Sequence, residues 1–244
     1  MSAILTEAFN FFRNHLRQLA ALTFPLLIIQ VAIQLWIGSE MLAQSQAETP
    51  EFGVVHAMAM MALLLIFSLL IAALTLFMEV RSQGHEVTPG RVLMESFTFV
   101  PPLLLAGVFS GLAIVMPIVL FAAFGSFWII GLTISFYLFA RLAYVNFMVI
   151  VERITPLQAI KASFEFSGPI VLKTLLVLML YLPISILGGA MASMAQQVGF
   201  PAQLVIDTVF AFIGLFVNVA LFRLYMVNRQ QKNPQNDSDD TTEV

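Results

Sequence analysis

Two charged side chains stand inside long apolar runs of this 244-residue chain, Arg141 and Asp207, and their types define what chemistry could occur there. A charge at the centre of a membrane-spanning helix costs about 2.5–3.5 kcal/mol on insertion scales, so it is ordinarily paired or faces a cavity. A guanidinium so placed binds an anion: a carboxylate of the same chain, a lipid phosphate or a solute. Glu152, Asn146 and Asn218 are the polar side chains within plausible reach, and with Arg141 they form the candidate intramembrane polar site. If its helix leaves the membrane near Glu152, the rise of 1.5 Å per residue puts Arg141 roughly 16 Å deep. If that helix is shifted, Arg141 snorkels to the interface with Tyr144 beside it. Asp207 is expected near the start of the last apolar helix, capping its first turn at the positive end of the helix dipole. Arg223, close to the end of that helix and followed by Arg229, reads as an interface anchor.

Other chemistries lack their residues. There are no cysteines, which excludes disulfides, thiol catalysis and Cys-ligated metals. His15, His56 and His85 lie in separate segments without ligand spacing, and no HExxH occurs, so no metal site is expected. No GxSxG elbow is present; Gly107-Val108-Phe109-Ser110-Gly111 has its serine one place off. No Walker loop or dinucleotide fingerprint appears, so no cofactor and no enzymatic activity is expected. A net charge of -3 without a basic cluster argues against nucleic acid as a partner.

The elements that must position these residues are membrane helices. Apolar residues make up 60% of the chain and charged ones 10%, against about half and a quarter in soluble domains. Mean hydropathy is +0.94. A bilayer core needs about 20 apolar residues in a helix. Six runs qualify: Leu19 to Ile37, Met58 to Phe77, Pro101 to Phe121, Phe127 to Ile150, Thr174 to Ala195 and Leu204 to Phe222. The first is expected to stay as an uncleaved helix, although Ala43-Gln44-Ser45 follows it, because it exceeds the length of a signal-peptide core. With the N-terminus inside, Arg13, Arg17, Arg81, Arg91, Arg153, Lys161, Lys173, Arg223, Arg229 and Lys232 all fall on one side. The opposite loops carry only Glu40, Glu48 and Glu51 as charges. By the positive-inside rule both termini are cytoplasmic. Trp36 and Trp128 fall near the opposite boundary, where indole rings favour the interface.

The chain also repeats itself. Thr88-Pro89, Ser96-Phe97-Thr98-Phe99 and Pro102 recur at the same spacing as Thr155-Pro156, Ser163-Phe164-Glu165-Phe166 and Pro169. Thr followed by Pro starts a helix, the hydroxyl capping a free N–H and Pro losing no hydrogen bond. Leu157, Ile160 and Phe164 share one face while Gln158, Lys161 and Glu165 share the next, as in a helix lying on a membrane surface. A fainter third copy aligns Leu5, Ala8, Phe9 and Phe11 with Leu93, Ser96, Phe97 and Phe99. The expected fold is all-α: one transmembrane domain over 1–227, built of three parallel hairpin repeats (about 1–78, 88–150 and 155–227). Each repeat is introduced by a cytoplasmic amphipathic helix, and 228–244 forms a disordered acidic tail. Gly107 and Gly111 make a GxxxG pair expected to serve helix packing, as do Gly189 and Ser193.

Asn10-Phe11-Phe12-Arg13-Asn14 and Phe222-Arg223-Leu224-Tyr225-Met226 resemble the YciC-like family of bacterial inner-membrane proteins. That family carries no assigned activity, so the resemblance implies an inner-membrane location and a fold. Arg141, Glu152, Ala159 and Ser163 resemble, more loosely, a pattern in the membrane domain attached to some glycerophosphoryl diester phosphodiesterases. This likeness implies a lipid-related role and supplies no catalytic residues. The expected function is a non-enzymatic module that organises membrane lipids or other inner-membrane proteins. The alternative is a transporter or channel for a small amphipathic or anionic solute, with Arg141 as the binding charge.

Overall fold

The computed structural model describes residues 2–45 and 53–239. Glu48, Glu51 and the last five residues of the expected tail lie outside them. Eleven α-helices follow in order: α1 (Ser2–Asn14), α2 (Leu16–Ser45), α3 (Val54–Ser82), α4 (Pro89–Ser96), α5 (Val100–Ala122), α6 (Trp128–Leu142), α7 (Val145–Val151), α8 (Pro156–Ser167), α9 (Val171–Leu178), α10 (Tyr181–Val198) and α11 (Phe200–Asp239). No strand occurs among the described residues. Among the described residues six helical stretches are long and apolar enough to cross a membrane, and they contain the six apolar runs except for Phe127, which ends the turn before the fourth. Together α6 and α7 make the fourth, and α8 to α10 supply the fifth. The final helix continues to Asp239, through most of the segment expected as a tail.

The breaks have local causes. Pro183 has no N–H to return to Met179, so the helix breaks between α9 and α10, and Leu182 bonds the Met179 carbonyl in a tighter i to i+3 turn (3.1 Å). Both Thr-Pro pairs start a helix, α4 at Pro89 and α8 at Pro156. The two threonines differ: Thr155 closes a capping box with Gln158, and Thr88 does not. Thr88 makes no side-chain cap, and the Thr155 hydroxyl donates to Gln158 Oε1 (2.9 Å), which also accepts the Thr155 backbone N–H (3.2 Å).

Neighbouring helices pack in antiparallel fashion, α2 on α3, α5 on α6 and α10 on α11. At one end of the bundle α1, α4 and α8 gather against α11, α3 and α7. The core sits at this end: Leu74, Phe77 and Met78 of α3, Tyr144 beside α7, and Leu224 and Tyr225 of α11 are all fully buried. Ala8 of α1, Ser96 of α4 and Ser163 of α8 are each 0% exposed, a small residue seating each short helix on the core. Farther along, α5, α6 and α10 present large apolar side chains outward, among them Leu112, Val119, Ile129, Phe136, Ile186 and Met194. Apolar area on that scale is what acyl chains cover.

The helix approach that needs glycine lies at Gly131. A Cβ there would sit 2.5 Å from the Pro117 carbonyl oxygen and 3.0 Å from Phe121 Cβ, so α6 rests on the α5 backbone. Gly107 and Gly111 were expected to provide such packing, yet a Cβ on either meets nothing within 4 Å. Their face of α5 is turned away from the other described helices of the chain, so the small-residue pair is not used within it.

Candidate functional site

Arg141 occupies the last turn of α6, where the fourth span breaks before α7. Its backbone carbonyl accepts the Ser163 hydroxyl of α8 at 2.7 Å and shares that of Ser167 (3.1 Å) with the Ser163 carbonyl (2.6 Å). Side chains inserted at a helix carbonyl are a recognised source of a kink. Here they divide the fourth span into α6 and α7. Ala159, Ser163 and Ser167 recur every fourth residue, a small-residue stripe that lets α8 approach closely enough for these bonds. The stripe, rather than the Leu157, Ile160 and Phe164 face, is what α8 buries; Leu157 is 64% exposed. The signal was legible as small residues at i, i+4 and i+8, but apolar periodicity alone points to the neighbouring face.

The Arg141 guanidinium lies over two rings, Tyr137 at 5.7 Å and Phe164 at 5.2 Å from the ring centroids. Such cation–π contacts contribute about 0.5–1 kcal/mol each when exposed and more when desolvated. Its Nη1 lies 3.2 Å from where a Cβ on Gly168 would stand, so the glycine leaves room for the charged head. Its Nε is buried without a hydrogen-bond partner, and no carboxylate pairs with the guanidinium among the described residues. This head sits beside the turn between α8 and α9.

Glu152 belongs to a different cluster. It ends α7, accepts the Tyr225 hydroxyl and faces Arg229 Nε at 3.7 Å. Tyr225 is fully buried among Tyr144, Phe147, Phe166 and Phe222, with ring centroids 5.3–6.4 Å away. Tyr144 in turn shares a hydrogen bond of 2.6 Å with Thr174 Oγ1 of α9. Asn146 and Asn218 are half-buried, and neither is hydrogen-bonded to Arg141 among the described residues. The four polar residues grouped from the sequence therefore do not form one site: Arg141 and Glu152 serve opposite sides of the α7–α8 corner. Tyr137 has no signal in the sequence, because a lone hydroxyl in an apolar run has no spacing signature; Tyr144 stands out only beside Arg141, and Tyr225 only within the end motif.

The two end motifs meet. Arg223 of α11 lies 5.3 Å over the Phe11 ring of α1, and Phe12 packs on Phe212 and Phe216. Arg223 is thus held by an aromatic ring near the end of the last span. Asp207 stands seven residues after the start of α11 and lines a cleft, so it does not cap the first turn as expected. His15 packs between Phe11 and Phe77, and His56 stacks on Trp36 at 5.8 Å. No three acidic or histidine side chains converge as metal ligands among the described residues.

The fold defines a multi-pass helical membrane protein. No family model, curated protein or solved structure matches the chain.

Proposed function

We propose that this protein is a non-enzymatic module of the bacterial inner membrane that binds anionic lipid headgroups at Arg141 and thereby organises lipids, or partner proteins, around it. The observation that carries this reading is the state of Arg141. Its charge is oriented by Tyr137 and Phe164, unmatched by any carboxylate among the described residues, and set beside Gly168 at the turn between α8 and α9. A planar guanidinium binds phosphate through paired hydrogen bonds, so a phospholipid supplies the missing counter-charge.

In the same reading, α1, α4 and α8 are amphipathic helices on the cytoplasmic surface, and each introduces one of three parallel hairpins. Matching full burial of Ala8, Ser96 and Ser163 at one register supports the repeat. The ten-to-none distribution of basic residues supports cytoplasmic termini. Likeness to the YciC-like family supports the inner membrane as location, and the Phe11–Arg223 contact gives its two end motifs a shared physical role. Transport of an anionic solute by Arg141 draws less support, because the polar cleft between α2, α10 and α11 is not lined by it.

Extraction into native nanodiscs, followed by lipid analysis and crosslinking, tests the proposal. Enrichment of an anionic phospholipid or a reproducible crosslinked partner is expected. A lipid profile equal to the surrounding membrane, with no crosslinked partner, would falsify it.

A further inference from the structure

Away from the Arg141 corner, α2, α10 and α11 separate around a cleft of about 220 Å³. Its polar lining is Gln34, Tyr181, Ser185 and Asp207, and its apolar wall includes Ile184 and Phe210. Asp207 is the only charged residue in this lining. Gln203 stands one turn back on the same helix, and no Lys, Arg or His pairs with the carboxylate among the described residues. The cleft thus carries one fixed negative charge, an amide, two hydroxyls and two aromatic rings.

From this arrangement we infer that the cleft is a binding site for a primary alkylammonium group, carried either by an aminolipid headgroup or by a small free amine. The ammonium meets the Asp207 carboxylate as a charge-assisted hydrogen bond, and amide and hydroxyl oxygens of Gln34 and Ser185 accept its remaining N–H groups. The rings of Tyr181 and Phe210 favour an organic cation through their negative faces. A divalent metal fits poorly, since calcium takes six to eight oxygen ligands and only one carboxylate is present. The volume is equivalent to about seven waters at roughly 30 Å³ each, enough for an ethanolamine-sized group. Gly188 and Gly189 shape the wall differently. A Cβ on Gly188 would press on the Phe210 ring at 3.1 Å, whereas one on Gly189 meets nothing within 4 Å, so bulk added at Gly189 enters open space.

The test uses the full chain in nanodiscs of phosphatidylcholine and phosphatidylglycerol, titrated with ethanolamine by ligand-observed NMR. A second arm incorporates phosphatidylethanolamine and counts retained lipid by native mass spectrometry. Binding in either arm is expected to weaken about tenfold to a hundredfold in Asp207→Asn, the range for losing a hydrogen bond to a charged group. Gly189→Leu should weaken the same binding by occlusion, and Gly107→Leu should leave it unchanged. Thermal unfolding of each variant, measured in parallel, separates loss of binding from loss of fold. Asp207-dependent binding in the first arm alone identifies a free amine, and in the second alone an aminolipid; both support the inference. Absence of binding in both arms, or binding equal in wild type and Asp207→Asn, overturns it.

Discussion

Removing the two hydroxyls that hold the Arg141 carbonyl gives a quantitative test of the α6–α8 junction. In Ser167→Ala the carbonyl still accepts Ser163 Oγ (2.7 Å), and in Ser163→Ala the Ser167 hydroxyl, which shares its one proton between the Ser163 carbonyl (2.6 Å) and Arg141 (3.1 Å), can turn fully to Arg141, so neither single variant orphans it. Side-chain hydrogen bonds between membrane helices contribute about 0.6 kcal/mol on average, which sets the expected cost of each. The double variant leaves a partly buried carbonyl without either hydroxyl, adding the penalty for an unsatisfied group, about 1–3 kcal/mol. The double should therefore lose about 2–4 kcal/mol, against about 1.2 from the sum of the singles. Reversible unfolding in mixed micelles of lipid and dodecyl sulfate reads this directly. Additivity within about 0.5 kcal/mol would refute the idea that the two serines jointly satisfy this carbonyl at the kink.

Gly131→Ala should destabilise the protein by about 1–3 kcal/mol in the same assay, since the new methyl group overlaps the Pro117 carbonyl, while Gly107→Ala and Gly111→Ala should be close to neutral. Equal effects at all three positions would contradict the assigned packing. The absence of native cysteines allows a topology test by single substitution: Glu86→Cys and Val198→Cys, at exposed sites, should react with impermeant maleimide from opposite sides of the membrane. Labelling of both from the same side would remove the proposed orientation. Tyr225→Phe frees Glu152 from its buried hydroxyl partner and should cost about 1–3 kcal/mol, measured as a lowered unfolding midpoint. An unchanged midpoint would mean that Arg229 and water satisfy Glu152 without Tyr225.

The spans were legible because bilayer thickness imposes one length on every apolar run, and each run from Leu19 to Phe222 matches an observed helical stretch to within one residue at its ends or falls inside it. The helix starts at Pro89 and Pro156 were legible because the fixed φ of proline marks a first turn. Arg141 stood out for its cost, but its neighbours did not. Apart from Tyr137 one turn earlier, they come from α8 and the turn after it, over 20 residues later, and sequence distance says nothing about which helices meet. Gly107 and Gly111 matched a motif whose use depends on what faces it, and nothing among the described residues does; Gly131, without a motif, is pressed on another backbone. Asp207 read as a cap because the start of α11 was set four residues too late, at Leu204 instead of Phe200.

The central claim is that the Arg141 guanidinium holds a lipid phosphate, and native mass spectrometry of wild type and Arg141→Gln from identical phosphatidylglycerol-containing nanodiscs tests it most directly. One tightly retained phospholipid, present on wild type and lost from a folded Arg141→Gln protein, is the predicted result. Identical lipid retention by the two proteins would contradict it.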